Sequence, residues 1–256
     1  QGYFNMKKIT KILTIIMVLF IIVAGIFIVQ DLVFSENTGD PSNDNSSFNN
    51  QFKTSFQSET LGKNQLGSVT LEGPYGNPNS TNRIAIIVGV HPFEFKSHNS
   101  FLKYLKKYNN SLNNSYYVYI VNVTKDKDDF DNSRMNGQLL AQKFVVPDIN
   151  SKNYSFCVDI HGHRDQYVLN NSIVSPLNDE ESLKIAKEIT SKTTGIGILN
   201  YVPATDGHPT SPNYVSIPIL KNGTPTIIYE TSIYQSQDII DKYMEEFLLS
   251  LDSIRF

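Results

Sequence analysis

The sequence predicts an α/β sandwich with a mixed, largely parallel sheet flanked by helices, preceded by one N-terminal transmembrane helix. The chain has 256 residues, of which 40% are hydrophobic, enough for one medium domain and a tail. Apolar runs typical of strands buried on both faces alternate with amphipathic helical stretches, a pattern that favours this fold class. A separate uncharged run near the N-terminus predicts the membrane-spanning helix.

The N-terminal run covers residues 12–30, which are 19 residues without a charged side chain. This is close to the roughly 20 residues that cross a bilayer as a helix. Three lysines precede the run and Asp31 follows it, so residues 1–11 are expected in the cytoplasm and the rest outside the cell membrane. The competing interpretation is a cleaved signal peptide, whose apolar region is shorter and ends in small residues. Because this run ends in Phe27, Ile28 and Val29, we favour an uncleaved single-pass anchor.

Residues 31–59 are polar and rich in Asn and Ser, which predicts a disordered tether. The globular domain is then expected over residues 60–256. From Asp31 onward the chain has an excess of six acidic over basic residues, which disfavours a nucleic-acid partner. A single cysteine, Cys157, excludes an internal disulfide framework and lies in an apolar stretch typical of a buried strand.

Strand and helix patterns alternate along the predicted domain. Apolar or alternating runs predict strands at 67–72, 83–90, 116–123, 154–160 and 225–229. Amphipathic periodicity predicts helices at 94–108, 179–190 and 239–251. In folds of this class the catalytic residues lie just beyond the carboxyl ends of the strands.

Three predicted strands end in residue types that bind metals. His91 and Glu94 follow the 83–90 strand, His161 follows the 154–160 strand, and Glu230 follows the 225–229 strand. Two imidazoles and one carboxylate form a three-ligand zinc set that leaves one coordination position for water. A further carboxylate that does not bind the metal, here Glu230, is suited to take the proton of that water.

Neighbouring polar residues leave alternatives open. His91 alone is equally compatible with a loop histidine that binds no metal. His163 could replace His161 as the ligand, although His161 directly follows the strand. Asp159, two residues before His161, either orients a ligand or ends the strand. Arg164 is expected beside the pocket or in an ion pair rather than as a substrate clamp.

The segments VGVHPFE, VDIHGH and IIYET occur in this order, each at a predicted strand end. Together they resemble the zinc carboxypeptidases and their deacylase relatives, succinylglutamate desuccinylase and aspartoacylase, over about residues 67–256. The resemblance implies a Zn²⁺ cofactor held by His91, Glu94 and His161. It also implies that Glu230 is the catalytic base.

The resemblance further implies residues that bind the substrate. The family usually has an Arg, often within an Asn-Arg pair, between the first two zinc segments, and this chain has no such pair there. Arg134 is the best match for binding a substrate carboxylate and polarising the scissile carbonyl, with Asn136 assisting. Tyr214 matches the tyrosine that precedes the catalytic Glu in peptidase relatives. His208 is also in range and belongs either to a surface turn or to a rim over the pocket.

We therefore expect a membrane-anchored, extracytoplasmic zinc-dependent amide hydrolase. The leading interpretation is a metallocarboxypeptidase-like peptidase that acts on cell-wall or extracellular peptides. A deacylase of N-acyl amino acids is the nearest alternative. A non-catalytic surface binding module with the same fold is the alternative of another class.

Overall fold

Eight strands form one mixed sheet in the computed structural model, which describes residues 56–203 and 210–256. Their order across the sheet is β1-β2-β4-β3-β5-β8-β6-β7. The four central strands β4, β3, β5 and β8 are parallel. The pairs β1–β2, β2–β4 and β6–β8 are antiparallel, and the edge strand β7 pairs in parallel with β6. The strands are β1 (Gln57–Asn64), β2 (Gly67–Gly76), β3 (Arg83–Val88), β4 (Ser115–Val123), β5 (Phe156–His163), β6 (Asn171–Val174), β7 (Gly197–Leu199) and β8 (Thr226–Ser232).

Helices cover both faces of the sheet, so the predicted α/β sandwich with a mixed sheet is confirmed. The helices are α1 (Phe95–Tyr108), α2 (Phe130–Leu140), α3 (Val146–Ser151), α4 (Glu180–Ser191), α5 (Ser211–Tyr214), α6 (Ser216–Lys221) and α7 (Gln237–Asp252). A five-residue π-helical turn, Ala141–Val145, joins α2 to α3.

The two faces follow from the alternation of side chains along the central strands. In β3, Ile84 and Ile86 pack into one apolar core with α1, α4 and α7. Ala85 and Ile87 point to the other face, where the core includes side chains of α2, α3 and α6. Both cores have fully buried strand residues, which explains why these strands read as continuous apolar runs. Cys157 is buried in the second core, and burial raises the pKa of its thiol.

The structure adds elements that the sequence patterns did not predict. Strand β1 begins at Gln57, so the ordered domain starts before the predicted boundary at residue 60. The short strands β6 and β7 and the helix α2 were also not predicted. Within the part of the chain that the structure describes, no helix combines the length and apolar character needed to cross a bilayer. The predicted anchor at 12–30, residues 1–11 and nearly all of the predicted tether at 31–59 lie outside the described residues.

A tight turn after β3 positions the segment that contains His91. Gly89 adopts φ +85°, and a Cβ atom at this position would lie 2.2 Å from the carbonyl oxygen of Val121. Only glycine fits both the left-handed backbone and this close approach. The chain therefore turns at the carboxyl end of β3 and brings His91 over the edge of the sheet.

A buried carboxylate fixes the C-terminal end of α7 to the start of β4. Asp252 is 5% exposed and accepts hydrogen bonds from the backbone N–H groups of Asn113 and Asn114 and from the hydroxyl of Tyr116. We expect Asp252→Asn to lower the free energy of unfolding by about 2–4 kcal/mol, because an amide cannot accept from all of these donors. Urea unfolding followed by circular dichroism measures this loss, with Tyr116→Phe, which removes one donor, as the milder control. A change below about 0.5 kcal/mol for Asp252→Asn would contradict the assigned role of the carboxylate.

Candidate metal centre

The candidate site lies at the carboxyl ends of three adjacent parallel strands. His91 follows β3, and Glu94 ends the 3-10 turn Pro92–Glu94 that leads into α1. His161 lies near the end of β5, directly opposite Glu230 of β8 in the register of the sheet. Four residues from three distant segments of the sequence are thus brought to one edge of the sheet.

Three side chains converge with their ligand-type atoms facing one another. The Nδ1 atoms of His91 and His161 lie 3.0 Å apart. Glu94 Oε1 lies 2.9 Å from Nδ1 of His91, and Glu94 Oε2 lies 2.9 Å from Nδ1 of His161. All three residues are buried, and their ligand atoms lie within 4.8 Å of one another. This cluster of two imidazoles and a carboxylate is a donor set that Zn²⁺ prefers.

Glu94 is held as a carboxylate. Its Oε2 accepts a hydrogen bond of 2.9 Å from the backbone N–H of Gly162, and its Oε1 accepts one of 2.5 Å from Arg134. Burial alone would raise the pKa of Glu94, but the neighbouring His91 and His161 hold it well below its usual range. The position between the two imidazoles therefore carries a fixed negative charge that suits a cation.

His161 lies between two carboxylates, which sets its tautomer. Asp159 Oδ1 lies 3.0 Å from Nε2 of His161, and Asp159 Oδ2 accepts a 2.8 Å hydrogen bond from the Ser216 hydroxyl. We assign one ring proton to Nε2, and Nδ1 faces the centre, where a bound cation would displace the second proton. Burial lowers the pKa of His161, but Asp159 and Glu94 outweigh it and raise the pKa well above its usual value. Since Nε2 holds the proton, it cannot accept one from the Ser211 hydroxyl 3.3 Å away, which argues against a serine nucleophile here.

His91 has a matching partner on its outer nitrogen. Nε2 of His91 lies 3.2 Å from Nε2 of Gln138, and the buried Oε1 of Gln138 has no hydrogen-bond partner among the described residues. A rotation of the amide by half a turn places Oε1 where it accepts from Nε2–H, the tautomer that a metal on Nδ1 requires. Burial lowers the pKa of His91 to about 4, so the ring is neutral. The residues present therefore fit a metal ion.

Glu230 faces the same space without touching the three converging atoms. It lines a cavity of about 460 Å³ together with His91, Glu94 and His161. Its Oε2 is buried and has no hydrogen-bond partner in the described part of the chain. Burial, with a smaller effect of the Glu94 charge, raises the pKa of Glu230 to about 8. A cation bound nearby would favour the ionised form of Glu230, in which the carboxylate can accept a proton and return it.

Only some of the other predicted site residues line this cavity. Arg134 lines the cavity. Asn136 does not line it, because two residues along α2 correspond to a rotation of about 200°, and its amide donates to the Lys125 carbonyl at 3.0 Å. Tyr214 does not line it either, because its side chain packs against the core on the α2 and α6 face of the sheet. His208 lies outside the described residues.

The described cavity wall also includes residues that were not predicted from the sequence. Tyr167 lines the cavity, its ring lies 5.0 Å from that of His163, and burial with the charges of Glu230 and Glu94 raises the pKa of its hydroxyl. Gln138 follows Arg134 by one helical turn, so a predicted helix at α2 would have placed both on one face. Tyr167 lies in the loop after β5, where no periodic pattern indicates its direction.

Comparisons with solved structures identify proteins with a similar fold. No family model matches the sequence, and no curated protein matches it. A metallo-carboxypeptidase structure from Burkholderia cenocepacia superposes with a TM-score of 0.51 at 12% identity and covers 79% of this chain. A protein from Shewanella denitrificans described as a carboxypeptidase A gives 0.55 at 14% identity and also covers 79%. An aspartoacylase family protein from Mesorhizobium loti gives 0.50 at 13% identity and covers 82%.

The described domain has the zinc carboxypeptidase-like fold, which confirms the resemblance at the level of architecture. The chain spans 65% of the length of each of these three structures. At 12–14% identity the similarity shows the fold alone. The chemistry of this chain depends on the residues of its own site.

Proposed function

We propose that this protein is a zinc-dependent hydrolase of peptide or amide bonds. One observation carries the proposal: two Nδ1 atoms and the Glu94 carboxylate converge at the wall of a cavity that also contains a second carboxylate, Glu230. A three-ligand site with an adjacent cavity is typical of catalytic rather than structural zinc. The fold shared with metallo-carboxypeptidases supports the same conclusion.

The residues of the site have separate roles in the proposed hydrolysis. A zinc ion held by His91, Glu94 and His161 would supply a polarised water and a Lewis acid for the substrate carbonyl. Glu230 accepts the proton of the attacking water and delivers it to the leaving amine. Arg134 lies at the cavity wall, where its guanidinium can donate to the carbonyl oxygen as negative charge develops.

The shape of the cavity supports a peptide or N-acyl amino acid as substrate. The cavity wall that contains Glu230 also includes the apolar side chains of Val174, Leu199 and Ile228, together with polar residues such as Asn200 and Thr210. Because Glu230 returns its proton to the leaving amine, this wall contacts the amine side of the scissile bond. We propose an apolar side chain on that side, as in a peptide that ends in leucine. The predicted anchor at residues 12–30 further supports an extracytoplasmic location and peptide substrates such as those of the cell wall.

Metal analysis tests the centre directly. We expect the purified full chain to bind zinc at one ion per chain. His91→Ala is expected to weaken binding by roughly 100-fold or more, since even indirect changes around a metal cost 10–100-fold. His163→Ala is the matched control, because His163 Nε2 contacts the Asn170 carbonyl outside the cluster. Equal zinc contents for wild type and His91→Ala would contradict the proposed ligand set.

Product analysis separates the two hydrolase interpretations. A carboxypeptidase releases C-terminal residues from peptides, whereas a deacylase acts only on small N-acyl amino acids. Zinc-loaded protein that hydrolyses neither class would favour the binding module instead.

A further inference from the structure

A second cavity of about 240 Å³ adjoins the first one. The two cavities share Glu94, Arg134, Gly162 and Gln166 as wall residues. The second cavity adds Arg164, Phe130, Phe93 and Ile233. It therefore opens directly beside the candidate metal centre, and none of the predictions from sequence gave it a role.

Two arginines meet at one aromatic ring in this second cavity. The Arg164 guanidinium carbon lies 3.5 Å from the centre of the Phe130 ring, and that of Arg134 lies 5.2 Å from it. Phe93 supports the ring from its edge, with 5.6 Å between the ring centres. An arginine held on an aromatic face keeps its N–H edges free for a planar anion.

The charge of this cavity is positive. Glu94 is the one acidic residue among its described wall residues, and its carboxylate already contacts both histidines, Arg134 and Gly162. Within residues 56–203 and 210–256, Arg164 forms no ion pair with a carboxylate. The adjacent Asp165 instead accepts a hydrogen bond from the Ser232 hydroxyl.

The position of the second cavity relative to Glu230 indicates which part of a substrate the second cavity binds. Glu230 lines the first cavity and is not a wall residue of the second. Since Glu230 delivers its proton to the leaving amine, the amine side occupies the first cavity. The second cavity, across Glu94 and Arg134, then receives the acyl side.

We propose that Arg164, with Arg134 and the Phe130 platform, forms a carboxylate-binding subsite that selects substrates with an acidic group on the acyl side of the scissile bond. The proposal rests on the proposed hydrolase function and specifies its substrate class. It assigns Arg164 a substrate-binding role, whereas the sequence predicts Arg164 beside the pocket or in an ion pair.

Kinetics with a matched pair of peptides test this subsite. The peptides end in leucine and differ only in Glu or Gln at the residue before the scissile bond. For zinc-loaded full-chain protein we expect kcat/KM to be about 10–100-fold higher for the Glu peptide, as for a charge-assisted bidentate contact. Arg164→Gln should remove this preference and leave kcat/KM for the Gln peptide within about threefold, and Arg164→Lys should restore part of it. Equal values for both peptides in the wild type, or an equal loss for both in Arg164→Gln, would overturn the proposal.

The control arginine is Arg83, which also stacks on aromatic rings, 4.8 Å from Tyr117 and 5.3 Å from Tyr154. It begins β3, at the end of the strand opposite to the site, so Arg83→Gln should keep the Glu preference.

Calorimetric binding to zinc-loaded Glu230→Gln protein separates this proposal from the proposed function. Tighter binding of the Glu peptide, lost on adding Arg164→Gln, supports the subsite even if the wild type hydrolyses no peptide. Hydrolysis of both peptides without any preference in rate or binding supports the hydrolase and overturns the subsite. Absence of preferential binding, together with no hydrolysis of either peptide or of N-acyl amino acids, overturns both.

Discussion

Glu230→Gln is expected to lower kcat by roughly a thousandfold or more while zinc remains bound at one ion per chain. The amide has the shape of the carboxyl group but cannot accept the proton of the attacking water. Glu230 is not one of the three residues whose ligand atoms converge, so the metal should keep its three protein ligands. Parallel measurements of zinc content and of the rate of amide hydrolysis on the same preparation check both parts of this prediction.

The matched control for Glu230→Gln is Glu246→Gln. Glu246 lies on α7, where its carboxylate accepts hydrogen bonds from the backbone N–H and the hydroxyl of Thr194, and it lines neither cavity. This variant should keep both zinc and activity. If Glu230→Gln instead lost its zinc, Glu230 would be a ligand and the assignment of the base would be wrong. Retained turnover in Glu230→Gln would show that another group moves the proton.

The strand ends explain why the metal centre could be predicted from sequence. Each of β3, β5 and β8 contains a short, mainly apolar run that is buried on both faces, and such runs are easily recognised. A polar residue directly after such a run has few positions available, because parallel strands end at the same edge of the sheet. The topology of the parallel strands therefore largely explains why His91, His161 and Glu230 converge.

The other cavity residues are positioned by tertiary packing, which local sequence patterns do not indicate. Helix α2 has polar residues and a glycine where an amphipathic helix would show an apolar stripe, so its periodicity is weak. Without that helix, Asn136 and Arg134 could not be separated onto different faces. Arg164 and Tyr167 belong to the loop after β5, whose path is set by contacts with Phe130 and His163. Contacts of this kind join distant parts of the chain and appear only in three dimensions.

Helix α2 acts on the site through one close contact. Gly137 lies against the backbone of Val90, the residue before His91, and the same helix carries Arg134 and Gln138. A Cβ atom on Gly137 would lie 1.8 Å from the carbonyl oxygen of Val90 and 2.8 Å from its carbonyl carbon. The absence of a side chain at this position therefore sets the distance between α2 and the segment that carries His91.

Gly137→Ala is consequently expected to destabilise the protein by about 1–3 kcal/mol, although Gly to Ala inside a helix normally stabilises by about 1 kcal/mol. The helix has to move away from Val90, and a shift of about 1 Å at positioned groups can reduce kcat/KM by about a hundredfold. Urea unfolding and kinetics on the amide substrate measure the two effects, with Asn132→Ala on the exposed face of the same helix as the control. Because an exposed substitution leaves the spacing unchanged, Asn132→Ala should stay near the wild type in both. A Gly137→Ala protein as stable and active as the wild type would mean that α2 does not rest on the backbone before His91, and that Arg134 and Gln138 are positioned by other contacts.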